Sequence, residues 1–189
     1  LKKKKFSYKR GNLENVLKRF VDLTKNLKDN DILIRLTADN PLVDKFFLKK
    51  CIHYYLKNDL NYFSAHDNVF NTPYGLNAEL FRVKHLRKVY KSRYSEKDKE
   101  HVTYSIRKKY LKKELKFNFG ISKKFKFSNV SIDHLQDLEK IKNIFIKNNS
   151  YFSNYKNLNY NIKSKKKKQL NSKLGVGAVQ IGKKYFHNY

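Results

Sequence analysis

Apolar residues recur along the chain at two different spacings. Leu13, Val16, Leu17, Phe20 and Leu23 stand three or four residues apart, the period of one face of a helix, with Asn12 after Gly11 as an N-cap. Ile32-Leu33-Ile34-Arg35-Leu36 is a short, nearly continuous apolar run. Such runs suit a strand buried on both faces, as in a parallel sheet. A turn over Thr37-Ala38-Asp39-Asn40-Pro41 separates it from a second helix, whose face is marked by Val43, Phe46, Phe47, Cys51, Tyr54 and Tyr55. Further on, the pattern predicts a short strand at Asn61–Ser64, an extended stretch at Gly75–Phe81, and helices at Val83–Tyr90 and His101–Tyr110. Leu115–Phe119 and Phe125–Ile132 read as strands, and Leu135, Leu138, Ile141 and Phe145 form the stripe of a last helix. Strands alternate with helices, so the predicted class is α/β with a mostly parallel sheet flanked by helices.

Glycine and proline are scarce, 6 and 2 in 189 residues. Three of the glycines, Gly175, Gly177 and Gly182, crowd into the end of the chain. The stretch 150–172 is rich in Asn, Ser, Tyr and Lys without apolar periodicity and reads as a linker. The organisation expected is a domain over 1–149, the linker 150–172 and a separate segment 173–189.

Charge changes the picture less than its size suggests. Lys and Arg number 44 against 16 Asp and Glu, a formal net charge of +28. A basic chain with 14 Phe and 14 Tyr has the means to bind nucleic acid without any catalysis. The excess is nearly all Lys, however, and it is spread along the whole chain beside abundant Asn, Ile, Phe and Tyr. That is the mark of AT-rich coding, and it makes nucleic acid the weaker expectation. A single cysteine, Cys51, excludes an internal disulfide. No apolar run approaches the roughly 20 residues that cross a bilayer, so no membrane insertion and a cytoplasmic location are expected. The chain begins with Leu1 and contains no Met, which suggests truncation at the N-terminus.

Two aspartates stand where an open α/β sheet places its ligands, beyond the carboxyl ends of strands. Asp39 follows the run ending at Leu36, and Asp133 follows the run ending at Ile132. A pair of carboxylates on one sheet edge suits Mg²⁺, a hard cation that takes one or two carboxylates together with substrate phosphates. A purely structural role fits the same letters. Asp133-His134-Leu135-Gln136 has the spacing of a capping box, and Asn40-Pro41 is an ordinary helix entry. No phosphate-binding glycine loop is present, and the six histidines show no metal-ligand spacing.

Five ordered segments resemble the cytidylyltransferases that activate acidic sugars, the acylneuraminate and 3-deoxy-manno-octulosonate type, nearest to the spore-coat polysaccharide branch. They are Arg10-Gly11-Asn12-Leu13-Glu14-Asn15-Val16-Leu17, Arg35-Leu36-Thr37-Ala38-Asp39-Asn40-Pro41-Leu42-Val43-Asp44, Pro73-Tyr74-Gly75-Leu76-Asn77-Ala78-Glu79-Leu80-Phe81, Glu100-His101-Val102-Thr103 and Ser131-Ile132-Asp133-His134-Leu135-Gln136-Asp137-Leu138. The resemblance implies a Rossmann-like nucleotide-diphospho-sugar transferase fold, incomplete at the N-terminus. It implies Mg²⁺-dependent transfer of CMP from CTP to a sugar for surface polysaccharide, and a tendency to form a homodimer, for which the segment between residues 60 and 105 is the place to look for an interface. Asp39 and Asp133 match the family's catalytic, Mg²⁺-binding aspartates. Arg35, Tyr74, Asn77, Glu79 and His101 fall on its substrate side. Asn77 stands where the branch usually has Asp, His134 where it has Thr, and Gln136 where it has Glu. The family's opening strand and its basic, glycine-containing nucleotide loop have no counterpart here, which puts the activity of the chain in question. The segment Leu174-Gly175-Val176-Gly177-Ala178-Val179-Gln180-Ile181-Gly182 is similar to the first barrel strand of aldo/keto reductases.

Overall fold

The computed structural model describes residues 9–65, 72–111, 119–120 and 129–147, the side chains of 145–147 excepted. Most of the strands expected at Leu115–Phe119 and Phe125–Ile132, the linker 150–172, the segment 173–189 and the Phe145 side chain lie outside them.

Helix α1 (Val16–Leu23) is capped by Asn15, whose side chain accepts from the Lys18 amide. Asn12, the expected cap, accepts instead from the amides of Glu14 and Asn15 and shapes the turn before the helix. Strand β1 (Ile32–Arg35) leads to helix α2 (Lys45–Lys57), which is capped by the Asp44 carboxylate on the amides of Phe46 and Phe47. Strands β2 (Tyr62–Ser64) and β3 (Glu79–Arg82) follow, and β3 runs directly into helix α3 (Val83–Lys91). Helices α4 (Glu96–His101), α5 (Tyr104–Tyr110) and α6 (Leu135–Lys147) complete the described elements.

The three strands form one sheet in the order β1-β3-β2, and β3 is antiparallel to both neighbours. The α/β class stands, but the mostly parallel sheet does not describe these residues. The reason lies in the path of the chain. β1 and β2 run in the same direction with α2 between them, as in a parallel crossover, yet they do not touch. β3 returns the opposite way and fills the gap between them. Among the described residues the only parallel pairing is a single bridge between Tyr74 and Asn129.

Alternation along the strands feeds two cores, one on each face of the sheet. Phe63 and Leu80 pack with Phe47, Cys51 and Tyr55 of α2 and with Ile141 and Ile144 of α6. Tyr62 and Phe81 pack with Val16 and Leu17 of α1, Leu86 of α3, Val102, and Ile106 of α5. β1 is less buried than its apolar run implies, with Ile34 38% and Leu36 45% exposed. It lies at the edge of the described sheet, so its hydrophobic letters are not all covered.

The helix expected over His101–Tyr110 is two helices. Between them Val102 has φ 59° and ψ −50°, and the Thr103 amide donates to the His101 carbonyl at 2.5 Å. This is a γ-turn of the strained hand. For a β-branched residue such a conformation costs about 1–3 kcal/mol and persists only where its surroundings over-determine it. The buried Asp98 supplies part of that. Its carboxylate accepts from the Ser95 amide and hydroxyl, completing a capping box on α4, and from the Ser105 amide and hydroxyl at the start of α5. Burial opposes its ionisation, but these hydrogen bonds outweigh burial and hold its pKa below the ordinary carboxylate value.

Candidate active site

The site lies where β1 and β2 end and β3 begins. Arg35, Glu79 and Ser64 are register partners across the three strands. From this edge one loop leaves β1 and carries Asp39, and another carries Tyr74 toward β3.

A third segment ties the two loops together. The Val130 amide donates to the Tyr74 carbonyl at 2.7 Å, and the Ile132 amide donates to the Asp39 carbonyl at 2.8 Å. These bonds set Asp133, the next residue, against the Asp39 loop. Gly75 makes the approach possible. Its φ is +89°, and a Cβ there would stand 2.1 Å from the Ser131 amide nitrogen. Any side chain would push the loops apart. Burial, and then the nearby carboxylates of Asp133 and Asp39, raise the pKa of the Tyr74 phenol. Tyr74 is half exposed, at 51%, and with its pKa raised the phenol keeps its proton at neutral pH.

Neither aspartate is a helix cap. Helix α2 is capped by Asp44. Helix α6 starts at Leu135, and it is Asp137 that accepts from the amides of Asp133 and His134. The capping box anticipated for Asp133 and Gln136 is therefore replaced by a carboxylate from inside the helix. That leaves the Asp133 side chain with a longer contact, from the Ser131 hydroxyl at 3.3 Å. Asp39 Oδ1 is buried without a hydrogen-bond partner. Such an atom costs roughly 1–3 kcal/mol until a donor or cation reaches it. Asp39 and Asp133 both act on the Tyr74 phenol, and two carboxylates near one ring, one with an unsatisfied oxygen, are the kind of donor set that a hard divalent cation takes together with water and phosphate. Among the described residues no cluster of three or more His, Cys, Asp or Glu offers a cage of protein ligands.

The residues expected on the substrate side divide into two groups. Tyr74 stands beside the aspartates. Asn77, half-buried, accepts a long contact from the Ser64 hydroxyl at 3.4 Å. His101 is exposed at the end of α4. Glu79 is enclosed, with 7% exposure. One of its oxygens holds the Arg35 guanidinium, and the other accepts from the Tyr62 hydroxyl at 2.6 Å and the Thr103 hydroxyl at 2.8 Å. Arg35 is less enclosed, its side chain 14% exposed, but its Nε is buried without a partner. Burial, and then the charge of Glu79, drive the Tyr62 pKa far up, so that phenol is always a donor. Sequence reasoning gave no role to Tyr62, Thr103 or Asp98. Only Asp98 carried a readable signal, the Ser-x-x-Asp spacing of Ser95 and Asp98.

The described clefts lie elsewhere on the molecule. One of about 880 Å³ between α1 and α3 is lined by Lys25, Lys84, Lys88 and Lys91. Arg87, also in its wall, is already bound to Asp29 and to the carbonyls of Thr24 and Leu27. No described helix is long and apolar enough to cross a membrane.

Comparison with known proteins bears on the fold and on the chemistry. A family model described as cytidylyltransferase matches residues 3–170. The chain is 34% identical over 94 residues to an uncharacterized protein of Methanocaldococcus jannaschii, covering 50% of this chain and 37% of that protein. It thus spans well under half the length of that curated relative. The structure of a cytidylyltransferase from Leptospira borgpetersenii serovar Hardjo-bovis is similar in fold, with a TM-score of 0.65 at 23% identity, over 83% of this chain and 66% of that one.

Proposed function

The chain belongs to the cytidylyltransferase family, and from that premise we propose that it serves the transfer of CMP from CTP to a sugar of the nonulosonate or ulosonate type, in the cytoplasm, for surface polysaccharide. The sugar hydroxyl attacks the α-phosphorus. A new P–O bond forms, the bond to the β-phosphate oxygen breaks, pyrophosphate leaves, and the hydroxyl proton is lost to solvent or base.

The observation that carries this reading is the pairing of Asp39 with Asp133 through the Ile132–Asp39 backbone bond, with Asp39 Oδ1 buried and unpartnered. Asp44 caps α2 and Asp137 accepts from the amides ahead of α6, which supports a role other than capping for Asp39 and Asp133. Asp39 and Asp133 would hold Mg²⁺, which when bound offsets negative charge on the phosphates. Tyr74 presents a hydroxyl to an anion at the rim, and Asn77 and His101 lie on the side assigned to the sugar. With Asn77 in place of a carboxylate, that part of the site forms hydrogen bonds but supplies no charge.

Isothermal titration with CTP tests the proposal. Saturable binding that requires Mg²⁺ and is lost in Asp39→Asn supports it. Binding that is independent of metal, unaffected by Asp39→Asn and abolished by salt would overturn it. The net charge of +28 would then be attracting polyphosphate non-specifically, and the α1–α3 lysine cleft would be the place to look.

A further inference from the structure

Glu79 occupies a node. It is the first residue of β3, and it faces Arg35 of β1 and Ser64 of β2 in register. The loop bearing Asp39 leaves β1 after Arg35, with Asp39 four residues on, and the loop bearing Tyr74 enters β3 at Glu79. The two loops are joined at their tips by the amides of Val130 and Ile132. At their root they are joined by the Glu79 carboxylate, which reaches from β3 to the guanidinium on β1.

The third grip on that carboxylate is the informative one. Tyr62 reaches Glu79 from the neighbouring strand with ordinary geometry. Thr103 reaches it only because the chain turns at Val102. An unbroken helix through this position would avoid the strain and would carry the Thr103 hydroxyl away from Glu79. Val102 is wholly buried and still adopts φ 59°. Strain of this kind is held where the geometry it produces is used.

We propose that Glu79 and Thr103 are positioning residues: Thr103, presented by the strained turn at Val102, locks Glu79 onto Arg35, and this clamp holds the Asp39 and Tyr74 loops at the separation the site requires. The proposal rests on the reading of Asp39 and Asp133 as the reactive pair. Its members are otherwise enclosed, and the charges of Glu79 and Arg35 cancel, so the clamp adds no field of its own to the site. A buried carboxylate with three donors has one orientation available. With one hydroxyl removed, it gains freedom at the root of both loops.

The test compares Thr103→Val, which keeps the shape and removes the hydroxyl, with Thr103→Ser, which keeps the hydroxyl. Amide hydrogen exchange at Val130 and Ile132 reports the loop junction directly. Loss of one hydrogen bond to a charged group should speed exchange at these two amides about tenfold in Thr103→Val while amides within the β1–β3 ladder stay protected. Thr103→Ser should restore the original rates. Affinity for CTP with Mg²⁺ should fall and recover in parallel. Tyr62→Phe, which removes the other hydroxyl from the same oxygen, should reproduce the local loosening if Thr103→Val does not fold. Unchanged exchange at Val130 and Ile132 would overturn the proposal. So would a uniform loss of protection across the sheet, which would mark Thr103 as a general stabilising residue. If the unaltered chain binds no CTP, the assignment of the site fails, yet the exchange rates still decide the clamp.

Discussion

The amide of Ile132 donates to the carbonyl of Asp39 at 2.8 Å, and this one bond joins the loop that carries Asp39 to the segment that carries Asp133, from far along the sequence. It is a backbone bond, so it specifies position without consuming either side chain.

Replacement of Asp39 should separate function from stability. Asp39→Asn removes a charge that is part-buried and has an oxygen with no partner. The thermal midpoint should hold or rise, while affinity for CTP with Mg²⁺ falls by at least about tenfold. Asp133→Asn should weaken binding in the same way. Calorimetric titration and a melting curve on the same samples measure both effects.

Gly75→Ala should damage the fold and the site together. The added Cβ meets backbone of Val130 and Ser131 rather than a movable side chain, and the φ of +89° is itself unfavourable for alanine. A loss of about 2 kcal/mol or more is expected in urea unfolding, with Mg²⁺-dependent CTP binding lost because the Tyr74 loop can no longer close on Val130.

The Arg35–Glu79 pair should show the asymmetry of buried ions. Glu79→Ala leaves a guanidinium enclosed and uncompensated, and a loss of about 3–5 kcal/mol is expected. Glu79→Leu combined with Arg35→Met removes both charges and should recover much of that loss. Urea unfolding of Glu79→Leu, of Arg35→Met and of the double variant provides the cycle. A double variant no more stable than Glu79→Ala would contradict the expectation.

His85 should make stability fall in mild acid. Its ring is buried, with Nε2 bonded to Asn61 Oδ1 at 3.0 Å and the Tyr110 ring 4.4 Å away. Burial first, and then the charges of Lys84, Arg82, Lys88 and Lys109, lower its pKa below the ordinary 6.5. The unfolded chain therefore takes up a proton near 6.5 that the folded chain resists. The contribution is complete above that value and is lost as pH falls through the lower folded pKa. Urea midpoints from about pH 7.5 to about pH 5 should decline in the native chain, and His85→Gln should flatten that part of the curve.

Local periodicity carried far in this chain. The helices over Val16–Leu23, Lys45–Lys57, Val83–Lys91 and Leu135–Lys147 and the strands at Ile32–Arg35 and Tyr62–Ser64 all fall where apolar spacing places them. The positions of Asp39 and Asp133 just past apolar runs were equally legible, because they are local facts. Three features were not. The antiparallel insertion of β3 between β1 and β2 is a choice among partners far apart in sequence, and an apolar run states burial but not direction. The use of Asp137 rather than Asp133 ahead of α6 depends on where the helix starts within a few residues, which the letters alone do not fix. The break at Val102 contradicts local preference outright, since only the buried contacts around Asp98, Glu79 and the α1–α5 core repay a β-branched residue at positive φ.

The sequence by itself determined the elements, the α/β class, and the residue types available for chemistry, because each of these follows from spacings shorter than a turn or a strand. Tertiary structure alone decided that the segment ahead of Asp133 bonds to the Asp39 loop and that Glu79 is gripped from three sides. Such relations depend on backbone amides and on hydroxyls brought from distant segments, and these groups are present at so many positions that nothing in their local order marks the few that will converge.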